Sequence, residues 1–111
     1  MTGPIIFSNE TGREQLVDHG VVVTFRKSER TTGKTWWRET RTGPKQGDVV
    51  VEQVNVVDPR NPFDLDRYVE VSGFETTEDW MDAISDLHGG LPDLGFMYRV
   101  KNYSRSEHDR K

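Results

Sequence analysis

Residues 31–39 read TTGKTWWRE, which sets a glycine, a lysine, a threonine and two tryptophans inside a run of cations. Gly33-Lys34-Thr35 has the order of a phosphate-cradling loop. Such a loop needs a second glycine five residues earlier, so that backbone N–H groups can turn inward, and that position holds Ser28. Threonines and tryptophans around it also favour extended chain over a strand-loop-helix. The phosphate-loop chemistry therefore fails, and two readings remain: a base stacks on one of the tryptophans, or both cap an open barrel end with arginines stacked on them as cation–π partners. Adjacent strand residues point to opposite faces, so Trp36 and Trp37 cannot both be core in a sheet that is wet on one side. Trp36 shares parity with Lys34 and Arg38, which is the make-up of a stacking platform flanked by phosphate contacts.

The charge distribution extends this patch. The chain carries a net charge of −4, yet residues 26–45 hold Arg26, Lys27, Arg30, Lys34, Arg38, Arg41 and Lys45 against only Glu29 and Glu39, a local net of +5. Residues 46–98 hold twelve acids against Arg60 and Arg67, a net of −10. Clustering of like charge builds an attractive surface potential even in an acidic protein. The basic block is thus the place to expect an anionic partner, or else a solvated surface balancing the acidic half.

Other chemistries find little material. There is no cysteine, hence no disulfide framework and no thiolate nucleophile or ligand. His19, His88 and His108 have no second ligand at helical spacing, so neither a metal nor any other cofactor is expected. His19 and His88 each precede a glycine helix stop, where a cation answers the exposed carbonyls of the last turn. Glu75, Glu78 and Asp79 suit the first turn of a helix, and Asp82 and Asp86 its wet face. Asp64 and Asp66 lack the further ligands of a calcium loop and read as surface charge. Ser28 and Ser72 have no base nearby in sequence.

The elements that must position the basic block follow from periodicity. With 111 residues the chain is expected to form one domain over residues 1–103, followed by a charged, disordered tail over residues 104–111. After an apolar run Ile5-Ile6-Phe7, Thr11 and Glu14 have capping-box spacing, predicting a helix with Leu16 and Val17 on its apolar side and Gly20 as its stop. GVVVTFRK predicts a strand with Val21, Val23, Phe25 and Lys27 on one face and Val22, Thr24, Arg26 and Ser28 on the other, one face being core. TWWRET and DVVVEQVNVV predict two strands joined through a GPKQGD turn. Pro59 and Pro62 limit the next stretch to about one helical turn before an extended VEVSGF. Thr76 or Thr77 then caps a helix whose Trp80, Ala83, Ile84 and Leu87 form a buried stripe, stopped at Gly89-Gly90, and LGFMYRVKNY closes the domain as a strand. Hairpin-length connections and this element order indicate an α+β domain on an antiparallel or mixed curved sheet with two main helices. No apolar run approaches the roughly 20 residues of a membrane span, and the N-terminus lacks a targeting pattern. A soluble, cytoplasmic, monomeric protein is expected.

In its order of elements the chain resembles the ASCH domain family, a PUA-like small β-barrel associated with RNA. The resemblance covers about residues 4 to 103. It rests on a first helix ending in glycine, VVVTFR with its Thr24-x-Arg26 pair, the Gly47-Asp48 turn into a valine-rich strand, a late helix and the closing FMYRVK. It implies a ligand cleft between barrel and helices with Thr24 and Arg26 on one wall. Some members look like small amidohydrolases acting on acylated cytidines through a lysine three residues before the threonine. That position is Val21 here, which can serve as neither nucleophile, base nor acid. The expected function is RNA binding, with phosphates on Arg26, Lys27, Arg30, Lys34 and Arg38 and a base stacked on Trp36 or hydrogen-bonded near Thr24. Two alternatives stay open: an amidohydrolase-like enzyme acting on a nucleoside or nucleotide in the same cleft with Lys27 or Lys34 and an acid such as Glu39, and a domain whose basic face docks an acidic protein.

Overall fold

A computed structural model describes residues 4–7 and 9–103. The tail over residues 104–111 lies outside the described residues. Among the described residues nine elements follow one another: β1 (Ile5–Ile6), α1 (Glu10–His19), β2 (Val21–Arg26), β3 (Gly33–Arg38), β4 (Gly47–Val57), α2 (Pro62–Asp66), a 3-10 turn (Val69–Val71), α3 (Thr77–His88) and β5 (Gly95–Asn102). The fold is α+β. The five strands of the described residues form one mixed sheet in the order β1-β3-β4-β5-β2, curled into a half-barrel, with the β1–β3 pair parallel and the other pairs antiparallel.

Both faces of the sheet are used, which corrects the expectation that one face of β2 alone is core. On the inner face Val22, Val49, Val51, Tyr98 and Val100 pack with Ile5, Phe7, Trp37 and Leu16 of α1. On the outer face Val23, Phe25, Met97 and Val57 pack under α2 and α3 through Leu65, Trp80 and Ile84. A register shift between Gln53 and Asn55 bends β4 where it passes from one cover to the other. Phe25 lies so close over β5 that a Cβ on Gly95 would come within 2.0 Å of its ring. The strand tolerates no side chain there.

Local signals explain most boundaries. Asn9 rather than Thr11 caps α1, its side chain accepting from the Gly12 N–H; the chain must turn at once because the Phe7 N–H still donates to the Arg38 carbonyl. Leu16 is buried, but Val17 is 60% exposed and is not part of the apolar side. Thr76 caps α3 through the Asp79 N–H, and Gly89 ends it in the left-handed region. Residues 69–71 form a 3-10 turn instead of extended chain. Here the Ser72 hydroxyl donates to the Val69 carbonyl and accepts from the Phe74 N–H, a local closure that overrides the β-branched composition. Asp64 and Asp66 brace this region, accepting from the Asp58 N–H and the Thr77 hydroxyl respectively.

The sheet does not close by strand pairing. Across the seam between its two edge strands, Arg26 donates to the Ile6 carbonyl at 3.0 Å and Arg30 reaches the Pro4 carbonyl at 3.5 Å. Just beyond, Arg13 donates to the Phe7 carbonyl at 3.3 Å. Guanidinium groups stand where a sixth strand would supply N–H donors.

Candidate functional site

A cleft of about 170 Å³ follows the free edge of β2, between β1, the first turn of α1 and α3. Two cores meet here, so its walls are largely aromatic: Phe7, Phe25, Phe74 and Trp80. Phe74 and Trp80 lie nearly parallel, with centroids 6.3 Å apart and planes at 14°. Polar groups enter from β2 and the residue that follows it, namely Thr24, Arg26 and Lys27. The antiparallel register pairs Thr24 with Tyr98 and Arg26 with Phe96, and this fixes both side chains on the inner face. Thr24 and Arg26 share that face with Val22, as strand alternation requires.

Arg26 dominates the electrostatics. Its Nη2 donates to the Ile6 carbonyl and its guanidinium carbon lies 5.2 Å from the Phe7 ring centroid. Its Nε is buried without a hydrogen-bond partner, and no carboxylate lies within ion-pair distance among the described residues. Burial, and then the neighbouring Arg30, hold its pKa down to about 10, while Tyr98 acts in the opposite direction. Arg30 is itself shifted downward by burial. Its backbone N–H donates to the Tyr98 hydroxyl at 2.7 Å, which ties the loop after β2 to the middle of the sheet. At the mouth, His88 packs edge-on to Phe25 with centroids 6.2 Å apart. Desolvation, followed by the charge of Lys27, depresses the His88 pKa.

The remaining candidates are elsewhere. Lys34, Trp36 and Arg38 project from the outer face of β3, with the parity read from sequence, but they do not join Thr24 and Arg26. Two strands, β4 and β5, separate β3 from β2 in the sheet. Trp37 is core at 5% exposure, edge-on to Phe7, whereas Trp36 is half-buried with the Arg38 guanidinium 5.2 Å from its ring centroid. Lys34 lies 4.7 Å from the Tyr103 ring centroid. Of the two lysines considered for the cleft, Lys27 lines it and Lys34 does not. Val21 pairs with Lys101, on the face opposite Thr24.

Sequence reading missed Phe74, Trp80 and His88 as walls. A usable signal was the length of the α3 stripe: Leu87, its last member, is 72% exposed and borders the cleft instead of filling the core. Among the described residues no group of acidic, histidine or cysteine side chains is placed to hold a metal ion, and no helix is long and apolar enough to cross a membrane. No family model, curated protein or solved structure matches this chain.

Proposed function

We propose that the protein is an RNA-binding module of ASCH-type, PUA-like architecture, and that the cleft beside β2 receives one unpaired base. A single observation carries this reading: an aromatic-walled cleft lined by a guanidinium that has no carboxylate within ion-pair distance among the described residues. Its size fits the occupant. A cavity of about 150 Å³ holds one benzene ring, so about 170 Å³ takes one base ring and leaves sugar and phosphate outside. Aromatic rings supply stacking that tolerates any π-face, and Thr24 and Arg26 supply polar contacts to a base edge. Lys27, exposed at the mouth, is placed for the phosphate that follows. A base held in a duplex cannot enter.

Fluorescence anisotropy with a labelled single-stranded RNA, and with the same strand in a duplex, tests the proposal. Single strands bind and the duplex does not. Ala83→Met, which extends an α3 side chain into the cleft, weakens single-strand binding by the worth of one stacked base, about 1 to 3 kcal/mol, or roughly 5- to 150-fold. Equal affinity of wild type and Ala83→Met, with an unchanged circular dichroism spectrum, removes the cleft from the function.

A further inference from the structure

The residues excluded from the cleft form a surface of their own. Where α3 ends, the outer face of the sheet lies open, and three neighbouring rows can be followed through the register. The first contains Arg99 and Glu52, ion-paired at 2.9 Å. Lys34, Val50 and Lys101 make the second. In the third, Trp36 pairs with Asp48, whose carbonyl accepts from the Tyr103 N–H, and the Asp48 carboxylate is satisfied by Lys45 at 2.7 Å. Subtracting the paired charges leaves Lys34, Lys101 and Arg38, none within ion-pair distance of a carboxylate among the described residues. Lys34 and Lys101 are exposed and stand two strands apart, about 10 Å.

We propose that this terrace is a docking surface for the backbone of single-stranded RNA, with phosphates on Lys34 and Lys101 and one base stacked on Trp36. The nature of the ligand rests on the RNA-binding reading above; the surface does not depend on the cleft. Arg38 occupies the Trp36 ring as a placeholder. Its Nε is buried there with no hydrogen-bond partner, so the resting contact leaves a donor unmet. A cation over a ring contributes from about 0.5 to 1 kcal/mol when exposed to about 2 kcal/mol when desolvated, against about 1 to 3 kcal/mol for a stacked base, and displacement also frees the unmet Nε donor. The base therefore displaces the guanidinium, which swings out and finds a phosphate oxygen for its free donor. Acidic side chains would satisfy the lysines but bring no ring to Trp36, whereas every nucleotide carries both a phosphate and a flat base, and for that reason nucleic acid is the fitting partner.

The test measures the salt dependence of binding of a twelve-nucleotide RNA to wild type, to the Lys34→Gln/Lys101→Gln double variant and to Ala83→Met. Both lysines are exposed, so the double variant keeps its fold. Losing two phosphate contacts on a single strand lowers the slope of log K against log salt by about 1.4. An unchanged slope in the double variant, with Ala83→Met still weakened, overturns the terrace and leaves the cleft reading standing. A shallower slope with Ala83→Met unaffected supports the terrace and removes the cleft. Failure of wild type to bind any RNA strand removes both, and tighter binding to polyglutamate than to RNA, lost in the double variant, overturns the terrace as a nucleic-acid surface.

Discussion

At Arg26 two costs oppose one another. Its pKa of about 10 means that holding the charge in the fold costs about 3 kcal/mol relative to solvent, by the conversion of 1.36 kcal/mol per unit. Removing the side chain relieves that cost but leaves the Ile6 carbonyl without its donor, at about 1 to 3 kcal/mol. Arg26→Met should therefore change stability by no more than about 1 to 2 kcal/mol in either direction, as read by urea denaturation. RNA affinity should nevertheless fall, because the cationic group lining the cleft is gone. His88 provides a pH signature at the same site. Its pKa is depressed, so the fold prefers the neutral ring and the unfolded chain takes up more protons as pH falls through the ordinary histidine range. Stability should accordingly decrease as pH falls from 7 through about 6.5 and below, where the unfolded histidine protonates first. Lys27→Gln removes one of the two causes, and the His88 titration followed by NMR should move upward; a wild-type midpoint at or above the ordinary value would contradict the arrangement at the mouth.

Among the elements, those governed by local rules were legible and those governed by pairing were not. The caps at Thr76, Gly20 and Gly89, the stripe of α3 and the alternation of β2 are all properties of a few consecutive residues. Nothing local states that β2 pairs with β5 rather than with β3. Residues 26–45 therefore read as one basic patch, although the loop over residues 27–32 carries β3 to the far side of β4 and β5. Lys101 and Tyr103 were invisible as site residues for the same reason, since their neighbours on the terrace come from other strands. The segment joining the 3-10 turn to α3 yields a test of packing between elements. Gly73 has φ +93°, and a Cβ there would lie 2.7 Å from the Thr11 carbonyl oxygen of α1. Gly73→Ala should cost about 2 to 4 kcal/mol, combining the left-handed penalty with a clash against backbone. A shift in denaturation midpoint well below that would mean α1 can move away.

Over the whole molecule, the acidic and basic halves end on different elements. Glu78, Asp79, Asp82 and Asp86 are exposed on α3, which also walls the cleft. An incoming phosphate chain meets repulsion from this side and attraction from the terrace, so its approach is directed as well as strengthened. Asp82→Asn/Asp86→Asn should raise RNA affinity at low salt. The gain should vanish near 1 M salt, where the screening length is about 3 Å. Anisotropy titrations at the two salt concentrations check this, and a gain that persists at high salt would point to a direct contact in place of a field effect.

The arginine-sealed seam also bears on how the chain behaves at high concentration. An open sheet offers its edge strands as templates on which another molecule can add a strand, the usual beginning of aggregation. β1 is a template with its acceptors already engaged: Pro4 contributes no N–H, and guanidinium groups occupy the Pro4 and Ile6 carbonyls. The same cations repel a second copy approaching through this edge. Replacing Arg13, Arg26 and Arg30 together by serine should leave bare carbonyls along β1 and produce concentration-dependent self-association, visible by light scattering with a gain in β-sheet signal. A triple variant that stays monomeric at the concentrations used would show that the edge is guarded by other means. On this account Arg26 has two duties, because the one guanidinium that would meet a ligand in the cleft is also among those that cover the carbonyls at the open edge of the sheet.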